Sequence, residues 1–180
     1  MTLAWNVAGV VVMAAAAVAA RSVALAGFAL DSLIEIVAST VVIWELTGQG
    51  RGRERPALRV IGVAFLALAA YIAAQGAYVL WAGRHPGHSA LGIVWTALTC
   101  IVMLTLAGAK RRTGRELRNR VLLTESRVTL VDAALAAAVL AGLVLNAAAD
   151  WWRADPLAGF VLVVYGIREG RAALRSASTI

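Results

Sequence analysis

The sequence predicts an all-α membrane protein built from six transmembrane helices. Three observations predict it. First, 61% of the 180 residues are apolar and only 15% are charged, whereas a soluble domain is nearer half apolar and a quarter charged. Second, long apolar stretches recur along the whole length, so the chain reads as one multi-pass transmembrane domain with short loops. Third, the arginines fall in short clusters between those stretches.

The expected spans are 3–20, 23–46, 57–81, 90–109, 122–148 and 156–173. Span one carries an AVAARS sequence that resembles a secretory cleavage region, but no Lys or Arg precedes it, which argues against a removed signal. Spans two to five are long enough to cross a bilayer by themselves. Span six rests on a shorter apolar run, PLAGFVLVVYGI; Asp155-Pro156 would supply its N-cap and first turn, and Arg168 and Arg171 would snorkel from its far end.

Loop charge sets the orientation. Arg51, Arg53, Arg55 and Arg59 lie between spans two and three. Lys110, Arg111, Arg112, Arg115, Arg118 and Arg120 lie between four and five, and Arg168, Arg171 and Arg175 in the tail. The other side has Arg21, Arg84 and Arg153. This asymmetry puts both termini in the cytoplasm, as an even span count requires. Trp5, Trp44, Trp81, Trp95, Trp151 and Trp152 fall near span ends, where interfacial belts form. The net charge of +7 does not imply nucleic acid, because the basic residues form no groove-reading or stacking module. One cysteine, Cys100, lies within a span and reads as a small packed residue.

Chemistry concentrates in the acids. Asp31 and Glu35 stand four residues apart in span two and share one helical face. Each costs roughly 2.5–3.5 kcal/mol at a bilayer centre, and their mutual repulsion demands a proton or a cation between them. Asp132 lies near the middle of span five. Antiparallel packing of the two spans would bring Asp31 level with Asp132 and Glu35 level with Val128. Carboxylates converging in a dry bundle make a site for a hard cation. The bland alternative is an acid paired with an interior arginine; the nearest, Arg127, sits at the cytoplasmic end of span five and off the acid face. Glu125 shares a face with Val128, Thr129 and Asp132. It reads as the first acid met by an incoming cation, as a fourth ligand, or as an acid favoured at a helix N-terminus. Thr129 reads as a hydroxyl ligand or as a residue bonded to its own helix. Asn6, Gln75 and Asn146 read as helix-to-helix hydrogen-bonding groups, and His85 and His88 as residues of a solvent-facing loop. The small-residue face of Ala69, Ala73 and Ala77 allows close helix contact, within a subunit or between two.

Ser22-Val-Ala-Leu followed by Asp31-Ser-Leu-Ile-Glu35 resembles the second-span signature of the cation diffusion facilitators, the cation efflux transporters. Glu125-Ser-Arg-Val-Thr-Leu-Val-Asp132 stands where that family places its fifth-span motif. Asn146-Ala, Trp151-Trp-Arg-Ala-Asp-Pro-Leu-Ala-Gly159 and Arg168-Glu-Gly170 resemble its fifth-to-sixth connection and last span. The resemblance covers nearly the whole chain. It implies a homodimer in the cell membrane that exports a divalent metal from the cytoplasm in exchange for protons. It also implies a metal site on Asp31, Glu35 and Asp132, with Glu125 beside them. The fourth ligand place of the family falls on Val128, where a His, Asp or Asn is usual. An all-oxygen site would lean towards manganese, iron(II) or cobalt rather than zinc. The sequence stops soon after span six, so the chain reads as a short form lacking the cytoplasmic C-terminal domain.

Two other readings compete. A proton-coupled exporter of small organic cations would want aromatic residues around the acids, and Phe28 alone lies close. A non-transporting membrane scaffold or regulator would not need the acids at all. No enzyme reading stands out: the sequence carries no nucleophile–base pair, phosphate loop or metal-hydrolase motif.

Overall fold

The computed structural model describes residues 2–46, 54–118 and 120–179, with the side chains of 2–3, 38–39, 41–46, 54, 120–122, 124–125 and 179 excepted. Arg51 and Arg53, and the side chains of Trp44, Glu45, Arg120 and Glu125, therefore lie outside the described residues.

Six helices account for nearly all of it: α1 (Thr2–Ala20), α2 (Val23–Leu46), α3 (Glu54–Trp81), α4 (Ala90–Glu116), α5 (Arg120–Ala149) and α6 (Ala154–Thr179). Arg55–Trp81, Ala90–Glu116 and Ser126–Ala149 are long and apolar enough to cross a membrane. Four helices stop in the same way. The residue that follows α1, α3, α4 and α5, or lies one further on, takes left-handed backbone: Arg21 (φ 52°), Gly83 (60°), Arg118 (49°) and Asp150 (48°). That conformation ends a helix and reverses the chain within a few residues, so the connections stay short. At the start of α4, Ser89 caps the helix by accepting from the Gly92 amide at 3.0 Å.

The C-terminal end of α4 departs from expectation. The helix runs on to Glu116, so Lys110, Arg111, Arg112 and Arg115 are helical residues, not loop residues. Most of AKRRTGRE favours a helix, since Ala, Lys, Arg and Glu are good formers; the single Gly114 costs about 1 kcal/mol, and charge alone does not end a helix.

The helices pair as α1 with α2, α4 with α5, and α3 with α6. The third pair is packed nearly backbone to backbone. A methyl group on Gly170 would lie 2.9 Å from the Gly62 carbonyl oxygen, and one on Gly166 3.1 Å from that of Phe65. Small residues at such a seam gain van der Waals contact that apolar lipid does not otherwise reward. Ala69 belongs to this seam, facing Gly166 within the subunit. The core is apolar, with Met13, Leu25, Ile72, Val139 and Leu162 almost fully buried between the layers.

Asp155 corrects a sequence expectation. It does not cap its own helix; it lies inside the first turn of α6, fully buried, and caps α2. Its carboxylate accepts from the Ser22 hydroxyl, from the Val23 amide at 2.9 Å and from the Ala24 amide at 3.3 Å. The orphan amides of the α2 N-terminus attract an anion from a neighbouring helix as readily as from their own chain. The same end of the molecule is pinned by Gly87 N–H to Ala20 O at 2.7 Å and by the Asn146 amide to Pro86 O at 3.1 Å.

Candidate cation site

The residues that meet in the middle of the bundle come from four helices. Asn6, Gly9 and Met13 of α1, Phe28, Asp31, Ser32 and Glu35 of α2, Thr99 and Met103 of α4, and Asp132 of α5 line one cavity, closed by Trp5 and Trp95. Its volume is about 10 Å³, roughly enough for a single water-sized sphere.

The helical period explains each placement. On α2, residues 28, 31, 32 and 35 form one stripe. On α5 the buried positions Ser126, Thr129, Asp132, Ala133 and Ala136 form another, which crosses α2 at the acids. Asp31 is 3% exposed and Asp132 9%, so both carboxyls are out of reach of bulk water. One oxygen of each, Oδ1, has no hydrogen-bond partner. Buried carboxylate oxygens are nearly always satisfied, so two unpartnered ones lining the same cavity point to something that occupies it.

Glu35 ties α2 to α1. Its Oε2 accepts from Asn6 Nδ2 at 2.5 Å, and it lines the same cavity as Asp31 and Asp132. Although the three acids line one cavity, no three His, Cys, Asp or Glu side chains among the described residues are gathered into a metal-ligand cluster.

Asp31 and Glu35 both lie within electrostatic reach of Asp132. Val128 does not face the cavity. It is 47% exposed and absent from the cavity wall, whereas Thr129 beside it is 2% exposed. The inward face of α5 one turn below Asp132 is therefore set at i−3, and the valine in the expected fourth ligand place faces outward. Glu125 is helical, within α5, and its side chain is outside the described residues.

Three groups that the sequence reads only as packing, belt or loop residues line or border the cavity. Asn6 does bond helix to helix, but its partner is a site acid. Trp5 stacks on Trp95, ring centres 5.1 Å apart, and donates its indole N–H to Thr99 Oγ1 at 3.3 Å; the pair closes one side of the cavity. Lys110 donates to Thr129 Oγ1 at 2.9 Å and lies within electrostatic reach of Glu35 and Asp132. The signal for Lys110 was present: the buried positions of α4, Gly92, Thr96, Thr99, Met103 and Ala107, continue at helical spacing to residue 110. The two histidines separate, His85 stacking on Trp152 and His88 pairing with Asp150 at 3.3 Å, both distant in the chain from the acids.

The family model for the cation efflux transmembrane domain matches residues 1–180. No curated protein matches the chain.

Proposed function

Since this chain belongs to the cation efflux transmembrane family, a family of membrane cation transporters, we propose that its cargo is a divalent metal ion, bound by Asp31, Glu35 and Asp132 and exchanged for protons. The observation that carries the reading is the pair of buried, unpartnered carboxylate oxygens on α2 and α5 facing one cavity. Oxygen donors of this kind suit hard or borderline dications: manganese, iron(II), cobalt or zinc. A metal ion and protons compete for the same oxygens, so binding one releases the other. Alternate opening of the site to the two sides then couples the fluxes. The arginine distribution supports cytoplasmic termini; we propose the cell membrane as the location and transport out of the cytoplasm as the direction. We propose that Glu125, four residues from Thr129 towards the start of α5, meets the ion first or joins as a fourth ligand. We propose a homodimer as the working unit.

A specific observation bears on the organic-cation alternative. Trp5, Trp95 and Phe28 all line the cavity, so more aromatic surface is present than Phe28 alone supplies. The cavity of about 10 Å³ favours a dehydrated ion over any organic cation, which needs a pocket of about 300 Å³ or more.

The test is a proteoliposome assay under a proton gradient, comparing manganese, iron(II), cobalt, zinc and cadmium for wild type and Asp31→Asn. At least one metal is taken up by the wild type, and that uptake is lost in the variant. Equal flux through both proteins removes Asp31 from the site; flux of an organic amine with none of any metal moves the reading to the alternative.

A further inference from the structure

We infer that Lys110 is a tethered counter-cation of the carboxylate site: its ammonium competes with an incoming metal ion for the same negative charge, and the Thr129 hydroxyl is the dock that holds it aside. The inference rests on the reading of the acids as a metal site and adds a control on how tightly that site binds.

The placement carries it. Lys110 extends the stripe of α4 that supplies Thr99 and Met103 to the cavity. Its Nζ donates to Thr129 Oγ1 at 2.9 Å. Thr129 is buried, 2% exposed, and lies one turn from Asp132 on the same face of α5. Lys110 therefore ends one helical turn on the cytoplasmic side of the acids, close enough to interact electrostatically with both Glu35 and Asp132. A lysine ammonium is a compact charge on a flexible four-carbon stem with three donors. It can bond the hydroxyl in one rotamer and approach a carboxylate in another. A buried cluster of three acids is costly to leave without positive charge nearby. A cation that cannot leave supplies that charge whenever the metal has gone, and a dication displaces it by carrying twice the charge to the same oxygens. Such a residue weakens equilibrium binding and speeds release, which a transporter requires and a storage site does not.

The two partners give opposite signs, which a merely structural role would not. Lys110→Met keeps the stem and removes the charge. Thr129→Val keeps the shape and removes one of the ammonium's partners, and the inference requires that the ammonium then shift towards the acids. The full chain in detergent micelles is titrated calorimetrically with manganese, cobalt and zinc in turn, for wild type, Lys110→Met, Lys110→Arg, Thr129→Val and Asp31→Asn. Expected is about tenfold tighter binding in Lys110→Met, equivalent to about 1.4 kcal/mol, binding near wild type in Lys110→Arg, and weaker binding in Thr129→Val. Unchanged or weaker binding in Lys110→Met, alongside loss of binding in Asp31→Asn, overturns the role of Lys110 and leaves the metal site standing. Tighter binding in Thr129→Val overturns the dock. No binding by any of the five proteins overturns the metal reading and this inference with it.

Discussion

Asp155→Ala tests how the two outer helix ends are joined. The carboxylate is fully buried and serves three donors: the Ser22 hydroxyl and the amides of Val23 and Ala24. Removing it orphans two of the four free amides of α2, which alone is a lost cap of about 1–2 kcal/mol. Each buried donor left without an acceptor adds about 1 kcal/mol or more. Ser22 limits the loss, because its oxygen already accepts from the Leu25 amide at 3.1 Å and its hydroxyl can turn to another acceptor. The total is about 3 kcal/mol. For a chain of this size that lowers the melting temperature by about 6–12 °C. Thermal unfolding of detergent-purified protein, followed by loss of the monodisperse peak in size-exclusion chromatography, reads it directly. Ser22→Ala and the double variant close a cycle, and their coupling should exceed about 0.5 kcal/mol, because the two side chains touch. If Asp155→Ala melts with the wild type, or if the two losses simply add, the carboxylate is not the clasp described above.

Further outcomes follow from the same geometry. Asn6→Ala takes the donor from Glu35 and should lower metal affinity about tenfold, within the 10–100-fold cost of losing an outer-shell partner; the titration that measures Lys110→Met measures this too. Val128→His, which would complete a four-ligand set if the side chain faced the acids, should change zinc binding by less than about twofold, because position 128 points away from the cavity; a marked gain in zinc affinity would return it to the site. Gly170→Val places branched carbon against the Gly62 carbonyl and Leu66 and should destabilise the protein by about 1–3 kcal/mol, measured by the same thermal assay, with metal selectivity unaltered.

The fold and the acid cluster were legible in the sequence for a simple reason. In a membrane, an ionisable group inside an apolar run is expensive enough to mark itself, so Asp31, Glu35 and Asp132 stand out with no structure in hand. What the sequence hid was the rotation of α5. Periodicity says which residues share a face of one helix, but not which of two adjacent residues turns inward; the buried stripe runs through Thr129 and leaves Val128 outward. Lys110 and Asn6 were underread because each lies near a helix end, where a polar residue needs no special reason to be. Asp155 was assigned to the wrong helix because a cap is recognised by neighbours in sequence, whereas this one acts between elements 130 residues apart.

The glycine seam between α3 and α6 has a mechanical consequence. Where a methyl group on Gly170 or Gly166 would meet the carbonyl oxygen of the facing helix at about 3 Å, neither helix can slide by a turn without lifting off its neighbour, since the next residues in line are bulkier than a hydrogen atom. The pair is thus a strut. The freedom to deform is left to the looser contact between α2 and α5, which is the one that crosses the acids.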